Sequence, residues 1–95
     1  MGAHTSEPTE IMRVSATTPP QAVAASINRA ILDSGPPVVR AIGAGAVAQA
    51  CKGIAIARGL VATSGRDLAT TIGFDTVMGD KGSEISAQTF HLFLR

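Results

Sequence analysis

The hydrophobic and polar positions along the chain predict six elements in the order β-α-β-α-β-β. Two short β-branched runs predict strands, and each is followed by apolar residues that recur every three or four positions, as in an amphipathic helix. Two longer strands follow, joined by Gly79-Asp80-Lys81-Gly82, a turn sequence that predicts an antiparallel hairpin. The predicted bounds are, in chain order, 11–16, 19–34, 38–42, 46–58, 67–78 and 85–94.

Polar, proline and glycine residues mark the ends of both predicted helices. Thr18 can cap the first helix, and a proline at position 19 suits its first turn. Gly35 and Pro36 then prevent that helix from continuing. In the same way, Gly59 predicts the end of the second helix.

The second helix carries two contrasting faces. One stripe at helical spacing is predicted to face the core, which makes Cys51 a small core residue and not a nucleophile. The opposite side combines Gln49, Lys52 and Ile56, so it can contact either solvent or a partner subunit. The predicted inner stripe consists of Val47, Cys51, Ile54 and Arg58.

This element order predicts an α/β protein of two layers. The helical connections are long enough for parallel pairing and the last two strands pair antiparallel, so the simplest sheet is mixed and four-stranded. Both helices are then expected to cover one face of this sheet. Residues 11–95 are expected to form this single domain, and the polar residues 1–10 are expected to form a flexible N-terminal tail.

Composition narrows the class of protein further. The 95 residues are 45% hydrophobic and include one cysteine, which excludes a disulfide within the chain and a four-cysteine metal site. No run approaches the roughly 20 apolar residues of a membrane span, and the first ten residues lack the features of a secretory signal. We therefore expect a cytoplasmic protein with no membrane partner.

Candidate catalytic chemistry is sparse. His4 and His91 lie far apart, Ser64 is outside a nucleophile elbow, and the carboxylates form no evident acid–base pair. Gly43-Ala44-Gly45 precedes a helix and could receive an anion, although close packing of that helix explains these glycines better. The chain is too short for a full dinucleotide-binding fold. We expect no enzyme, no cofactor and no metal site.

The positions of the charged residues along the chain indicate more about a partner than the net charge does. The net charge is +1, from 8 basic and 7 acidic residues. Between Asp33 and Asp67 the chain has four basic residues and no acid, which favours an anionic partner, although an ordinary solvated surface also explains it. The four residues are Arg40, Lys52, Arg58 and Arg66.

Four segments of the chain resemble the stage V sporulation protein S family. They are Val14-Ser15-Ala16, residues 41–46, Gln49-Ala50 and, above all, Ala55-Ile56-Ala57-Arg58-Gly59. The resemblance covers about residues 11–95. It implies an Alba-like fold, which has the element order predicted above, and a regulatory protein that binds DNA or RNA and forms a dimer or a tetramer.

In Alba-like proteins the loop after the first strand, the start of the second helix and the hairpin face nucleic acid. Phosphate contact is the expected mode here, because the chain has neither Trp nor Tyr for stacking on bases. Thr17 stands where the family often carries a lysine. The residues assigned to a nucleic-acid interface are Thr17, Thr18, Arg40, Gly43, Gly45, Gln49, Lys52, Arg66 and Lys81.

A second hypothesis is a protein–protein interaction module that oligomerises and has no nucleic-acid role. The near-neutral charge and the absence of a lysine at position 17 favour it. Its interface would combine the outer face of the second helix with the last strand, which carries large side chains on both sides. The residues assigned to this interface are Ile56, Phe90 and Phe93.

Overall fold

The computed structural model describes residues 10–95, which form four strands and two helices in the predicted order. A short 3₁₀ turn, Asp80–Gly82, joins the last two strands. Apart from Glu10, which is exposed, the predicted tail over residues 1–10 lies outside the described residues. The elements are β1 (Ile11–Val14), α1 (Pro20–Asp33), β2 (Val38–Ala41), α2 (Ala44–Ala62), β3 (Leu68–Met78) and β4 (Glu84–Leu94).

The strands form one mixed sheet in the order β1-β2-β4-β3. β1 and β2 are parallel, and β4 lies between β2 and β3, antiparallel to both. β3 therefore runs in the same direction as β2, as the helical connection between them predicts. The two strands are not neighbours, because β4 lies between them. The predicted mixed four-stranded sheet is confirmed.

The core lies between one face of the sheet and the two helices. Val39 and Phe90 are cross-strand partners on that face, and they pack with Val23 and Ile27 of α1 in one buried cluster. The opposite face of the sheet has no helix against it in the described part of the chain. Phe90 is only 2% exposed, so its assignment to an oligomer interface is wrong. The reason is that β4 is a central strand, and its helix-facing side chains are covered within the monomer.

α2 is longer than predicted. It runs from Ala44 to Ala62 and continues through Gly59, where an added Cβ would meet nothing within 4 Å. Gly59 therefore does not end the helix, because the core contacts of Ala57 and Val61 on either side of it hold the helix together.

The buried face of α2 also differs from the predicted one by roughly a quarter turn at 100° per residue. A Cβ at Gly53 would overlap the Val23 side chain, so α1 and α2 approach too closely for large residues between them. Cys51 is consequently exposed, which corrects its assignment to the core. The residues that line the buried face are Ala46, Ala50, Gly53, Ala57 and Val61.

Neither helix of the described chain is long and apolar enough to cross a membrane.

Candidate nucleic-acid interface

Three chain segments meet at one end of the sheet. Because β1 and β2 are parallel, the loop after β1 and the turn before α2 both leave from the same edge. β4 begins at Glu84, well before Gln88 pairs with Ala41 at the end of β2, so the β3–β4 hairpin projects beyond this edge. We call this region the hairpin end; it comprises residues 15–19, 42–45 and 75–87.

Hydroxyl groups organise the loop after β1. The Ser15 Oγ lies 3.1 Å from Thr17 Oγ1 and 3.0 Å from Thr18 Oγ1, and the Ser15 amide donates to Thr18 Oγ1 at 2.9 Å. Pro19, not Thr18, is the N-cap residue of α1, and it supplies no side-chain cap. The predicted cap is therefore wrong, because the Thr18 hydroxyl is engaged within its own loop.

Gln49 joins this loop to α2. Its Nε2 donates to the Thr18 carbonyl at 2.8 Å. The Gln49 side chain therefore holds the loop after β1 against the first turns of α2.

The start of α2 is compact and carries no negative charge. Gly43 has φ +91°, a conformation that favours glycine, and no side chain caps the helix or adds an acid to its first turn. A Cβ at Gly45 would lie 2.9 Å from the Ala16 Cβ, so the loop after β1 packs directly on the helix start. Gly45 therefore fits the explanation that a glycine is needed here for close packing of the helix. The uncapped amides also leave a partial positive charge that suits an anion.

Two lysines lie on or near the hairpin end. Lys52 is exposed and follows Gln49 by three residues, so both lie on the same side of α2. Lys81 is exposed at the hairpin tip and has φ +63°, in the left-handed region. Within residues 10–95, five basic side chains take part in no ion pair: Arg13, Arg29, Lys52, Arg66 and Lys81.

Arg40 lies on the sheet face away from the helices. Its side chain is 15% exposed, and its Nη2 donates to Asp75 Oδ2 at 2.5 Å. Asp75 therefore offsets much of the charge that Arg40 would present to a ligand. The Nε of Arg40 is buried and has no hydrogen-bond partner among the described residues.

Arg66 lies at the opposite end of the sheet, between the end of α2 and the start of β3. Its neighbour Asp67 accepts hydrogen bonds from Arg58 Nε at 2.8 Å and from Arg95 Nε at 2.9 Å. The hydrogen bond from Arg58 makes the largest contribution to lowering the pKa of Asp67, and the hydrogen bond from Arg95 makes the next largest. The hydrogen bond to Asp67 in turn raises the pKa of Arg58. The structure does not bring Arg66 together with the hairpin end.

Sequence reasoning missed Arg13. It pairs with Arg40 in the parallel β1–β2 register, so the two arginines are neighbours on one face of the sheet. Arg13, Ser15, Thr18 and Arg40 contribute to one cleft of about 550 Å³ at the hairpin end. Alignment of the two predicted parallel strands from their first residues, Ile11 and Val38, would have placed the arginines side by side.

Among the described residues, no group of three His, Cys, Asp or Glu side chains is placed to hold a metal ion.

The protein therefore belongs to the two-layer α/β class, with a hairpin that projects next to a helix start without acidic residues. Alba from Thermoplasma volcanium has a similar fold, with a TM-score of 0.58 over 88% of this chain and 99% of that chain at 17% sequence identity. The predicted Alba-like fold is confirmed. A family model described as Stage V sporulation protein S (SpoVS) matches residues 10–95, and the chain belongs to that family.

Proposed function

We propose that this protein is a non-enzymatic regulator that binds DNA or RNA through the phosphate backbone. The observation that carries the proposal is the composition of the hairpin end. An uncapped, acid-free helix start, a hydroxyl-bearing loop and a projecting hairpin with Lys81 at its tip share one edge of the sheet. Each of these supplies donors or positive charge, which are the groups that contact phosphates.

The cations around this edge set the strength of the proposed binding. Lys52, Lys81 and Arg13 are exposed and form no ion pair with any described residue, whereas Asp80 and Glu84 are exposed on the β3–β4 hairpin. So few unopposed charges imply a modest affinity, and each phosphate contact adds about one unit to the slope of log Kd against log salt concentration.

The proposed interface comprises Thr17, Thr18, Gly43, Gly45, Lys52 and Lys81, with Arg13 added from the structure. Gln49 acts in it as a positioning residue, because its amide holds the loop after β1. Arg40 contributes less charge because of Asp75, and Arg66, at the opposite end, is left out.

The test is fluorescence anisotropy with labelled double-stranded DNA and single-stranded RNA at about 50 and about 150 mM salt. Lys52→Glu is compared with Arg29→Glu, a matched reversal at an exposed arginine of α1. Lys52→Glu should abolish most binding at either salt concentration, and Arg29→Glu should leave most of it intact. Binding that does not depend on salt concentration, or an equal loss of affinity in the two variants, would contradict the proposed interface.

Self-association is a second candidate function, and exposed apolar side chains favour it. Ile72 shares a sheet face with Phe90 and the helices, yet it is 63% exposed, because the helices do not cover this part of β3. Phe74 and Met78, further along β3, are 79% and 69% exposed, and Ile56 of α2 is 37% exposed. Large apolar groups left in water favour contact with a second copy.

Phe93 does not belong to this apolar surface. It pairs with Ala69 on the sheet face away from the helices, so Phe93 and Ile56 lie on opposite sides of the sheet. We infer an interface built from Ile56 of α2 and the exposed part of β3.

Light scattering of Ile56→Asp tests this interface. A buried carboxylate without a partner is costly, so the variant should have a lower mass than the wild-type protein at equal concentration. Arg29→Asp is the matched surface control. An unchanged mass would exclude Ile56 from any self-association, and nucleic-acid binding by the variant would separate the two functions.

A further inference from the structure

Polar and apolar residues both line the cleft at the hairpin end. The polar lining residues are Arg13, Ser15, Thr18 and Arg40. Ile42, which is 46% exposed, and Val77 of the hairpin are among the apolar ones. Its volume of about 550 Å³ falls within the range of pockets that hold small organic ligands.

Within the described residues, only part of the charge in this cleft is balanced by an acidic partner. Arg13 and Arg40 are direct neighbours on adjacent strands, and like charges in such positions destabilise a sheet. Asp75 offsets Arg40, but Arg13 takes part in no ion pair within the described chain. The buried Arg40 Nε also has no hydrogen-bond acceptor among residues 10–95. An anion between the two guanidinium groups would remove the repulsion.

The shape and chemistry of the cleft favour one kind of anion. Guanidinium groups match the oxygens of a phosphate, and the hydroxyls of Ser15 and Thr18 add donors beside them. A phosphate monoester carries about −1.5 to −2 charges at neutral pH, more than one backbone phosphodiester does. The apolar wall at Ile42 and Val77 suits the flat body of a base or the carbons of a sugar.

We infer that this cleft binds the phosphate monoester of a nucleotide, with Arg13 and Arg40 as its cationic ligands. The nucleotide is either the 5′-phosphorylated end of a nucleic-acid strand or a free nucleoside monophosphate. The first source rests on the proposed function, because it requires that the protein binds nucleic acid, whereas the second does not.

Two titrations distinguish the sources. Anisotropy compares 3′-labelled single-stranded RNAs of one sequence that end in a 5′-phosphate or a 5′-hydroxyl. Calorimetry measures adenosine 5′-monophosphate and uridine 5′-monophosphate against the unliganded protein. Arg13→Gln is compared with Arg29→Gln, which removes the same charge outside the cleft. Arg40→Gln/Asp75→Asn is a second variant that removes both partners of the ion pair and leaves no lone charge.

A 5′-phosphate preference of about tenfold, lost in Arg13→Gln and kept in Arg29→Gln, supports a strand end as the ligand. Mononucleotide binding with the same dependence on Arg13 supports the free nucleotide. If the wild-type protein binds both RNAs equally and no mononucleotide, the inference is overturned while the proposed function stands. If a mononucleotide binds but neither the RNAs nor the double-stranded DNA of the first test binds, the proposed function fails and the inference holds. If no nucleic acid and no mononucleotide binds, both fail.

Discussion

The two ends of the sheet differ in how many of their charged groups are paired within the protein. At one end Asp67 accepts hydrogen bonds from Arg58 and Arg95, and its backbone also pairs with Arg95 in both directions, at 2.9 and 2.8 Å. We call this region, defined by Arg58, Asp67 and Arg95, the clamped end. At the hairpin end the donors of the α2 start, the loop hydroxyls and Lys81 have no acidic partner within the described chain. Charges paired within the protein stabilise the fold, whereas unpaired charges and free donors remain available to a ligand.

A single helix connects the two ends, and its glycines show the same contrast. Gly45, at the hairpin end, abuts Ala16 so closely that a side chain would displace the loop after β1. Gly59, in the last turns of α2 near the clamped end, faces open space. The glycine at the hairpin end is thus required by packing, and the other is not.

Gly45→Ala and Gly59→Ala should change stability in opposite directions, and this is the largest effect that we expect. Gly59→Ala should raise the free energy of unfolding by about 0.5–1 kcal/mol through helix propensity. Gly45→Ala should lower it by about 1 kcal/mol or more, because its methyl group overpacks against Ala16. Urea denaturation of both variants measures the difference.

Nucleic-acid binding by the same two variants provides the control. Gly45→Ala shifts the loop that carries Thr17 and Thr18, so it should weaken binding, while Gly59→Ala should not. Equal stability changes in the two variants would mean that Ala16 moves aside without destabilising the fold. The contact between Gly45 and Ala16 would then not constrain the loop.

Removal of one basic side chain from each end gives the next largest effect. In Lys81→Gly the slope of log Kd against log salt concentration should fall by about one unit, the value for one phosphate contact. In Arg66→Gly this slope should be unchanged. Because Lys81 has φ +63°, glycine should also relieve about 1 kcal/mol of backbone strain there. A salt titration by anisotropy and a urea melt of each variant measure the two quantities separately.

In Lys81→Gly, weaker binding cannot then be attributed to loss of the fold, since stability is expected to stay constant or rise. A salt dependence that falls in Arg66→Gly instead would place the nucleic acid at the clamped end.

Asp67→Asn should have the smallest effect, and it should depend on pH. The pKa of Asp67 is lower in the folded state than its ordinary value near 4, because Arg58 and Arg95 donate hydrogen bonds to its carboxylate. Its contribution to stability is therefore present above pH 4 and is lost as pH falls through the folded-state pKa. The ion pairs are exposed, so the contribution is small.

Thermal unfolding of the wild-type protein and Asp67→Asn at several pH values measures this contribution. The wild-type Tm should exceed that of the variant by a constant amount from pH 7 to about pH 5, and the two should converge below about pH 4. A difference that widens on acidification would contradict the role of Asp67 as a charged acceptor. Binding of nucleic acid at neutral pH should be the same in both proteins.

Much of this fold was predictable from local pattern. β-branched runs, turn glycines and prolines, and helical periodicity are properties of short segments, and they correctly predicted all six elements and the hairpin. The lengths of the two helical connections then favoured parallel strand directions, which the structure confirms. Thr17, Thr18, Gly43 and Gly45 could be placed at one end of the sheet for the same reason, since both segments directly follow the parallel strands β1 and β2.

Long-range contacts determined the rest. Helical period identifies which residues of α2 share a face, but the close approach of α1 at Gly53 turned the alanine side inward and left Cys51 exposed. Likewise, the insertion of β4 between β2 and β3 buried Phe90 and brought Asp75 to Arg40. The spacing of charges along the chain does not contain these pairings, because they depend on strand order and on how closely two helices pack. The ion pair between Arg40 and Asp75 and the exposure of Cys51 followed from that assembly alone.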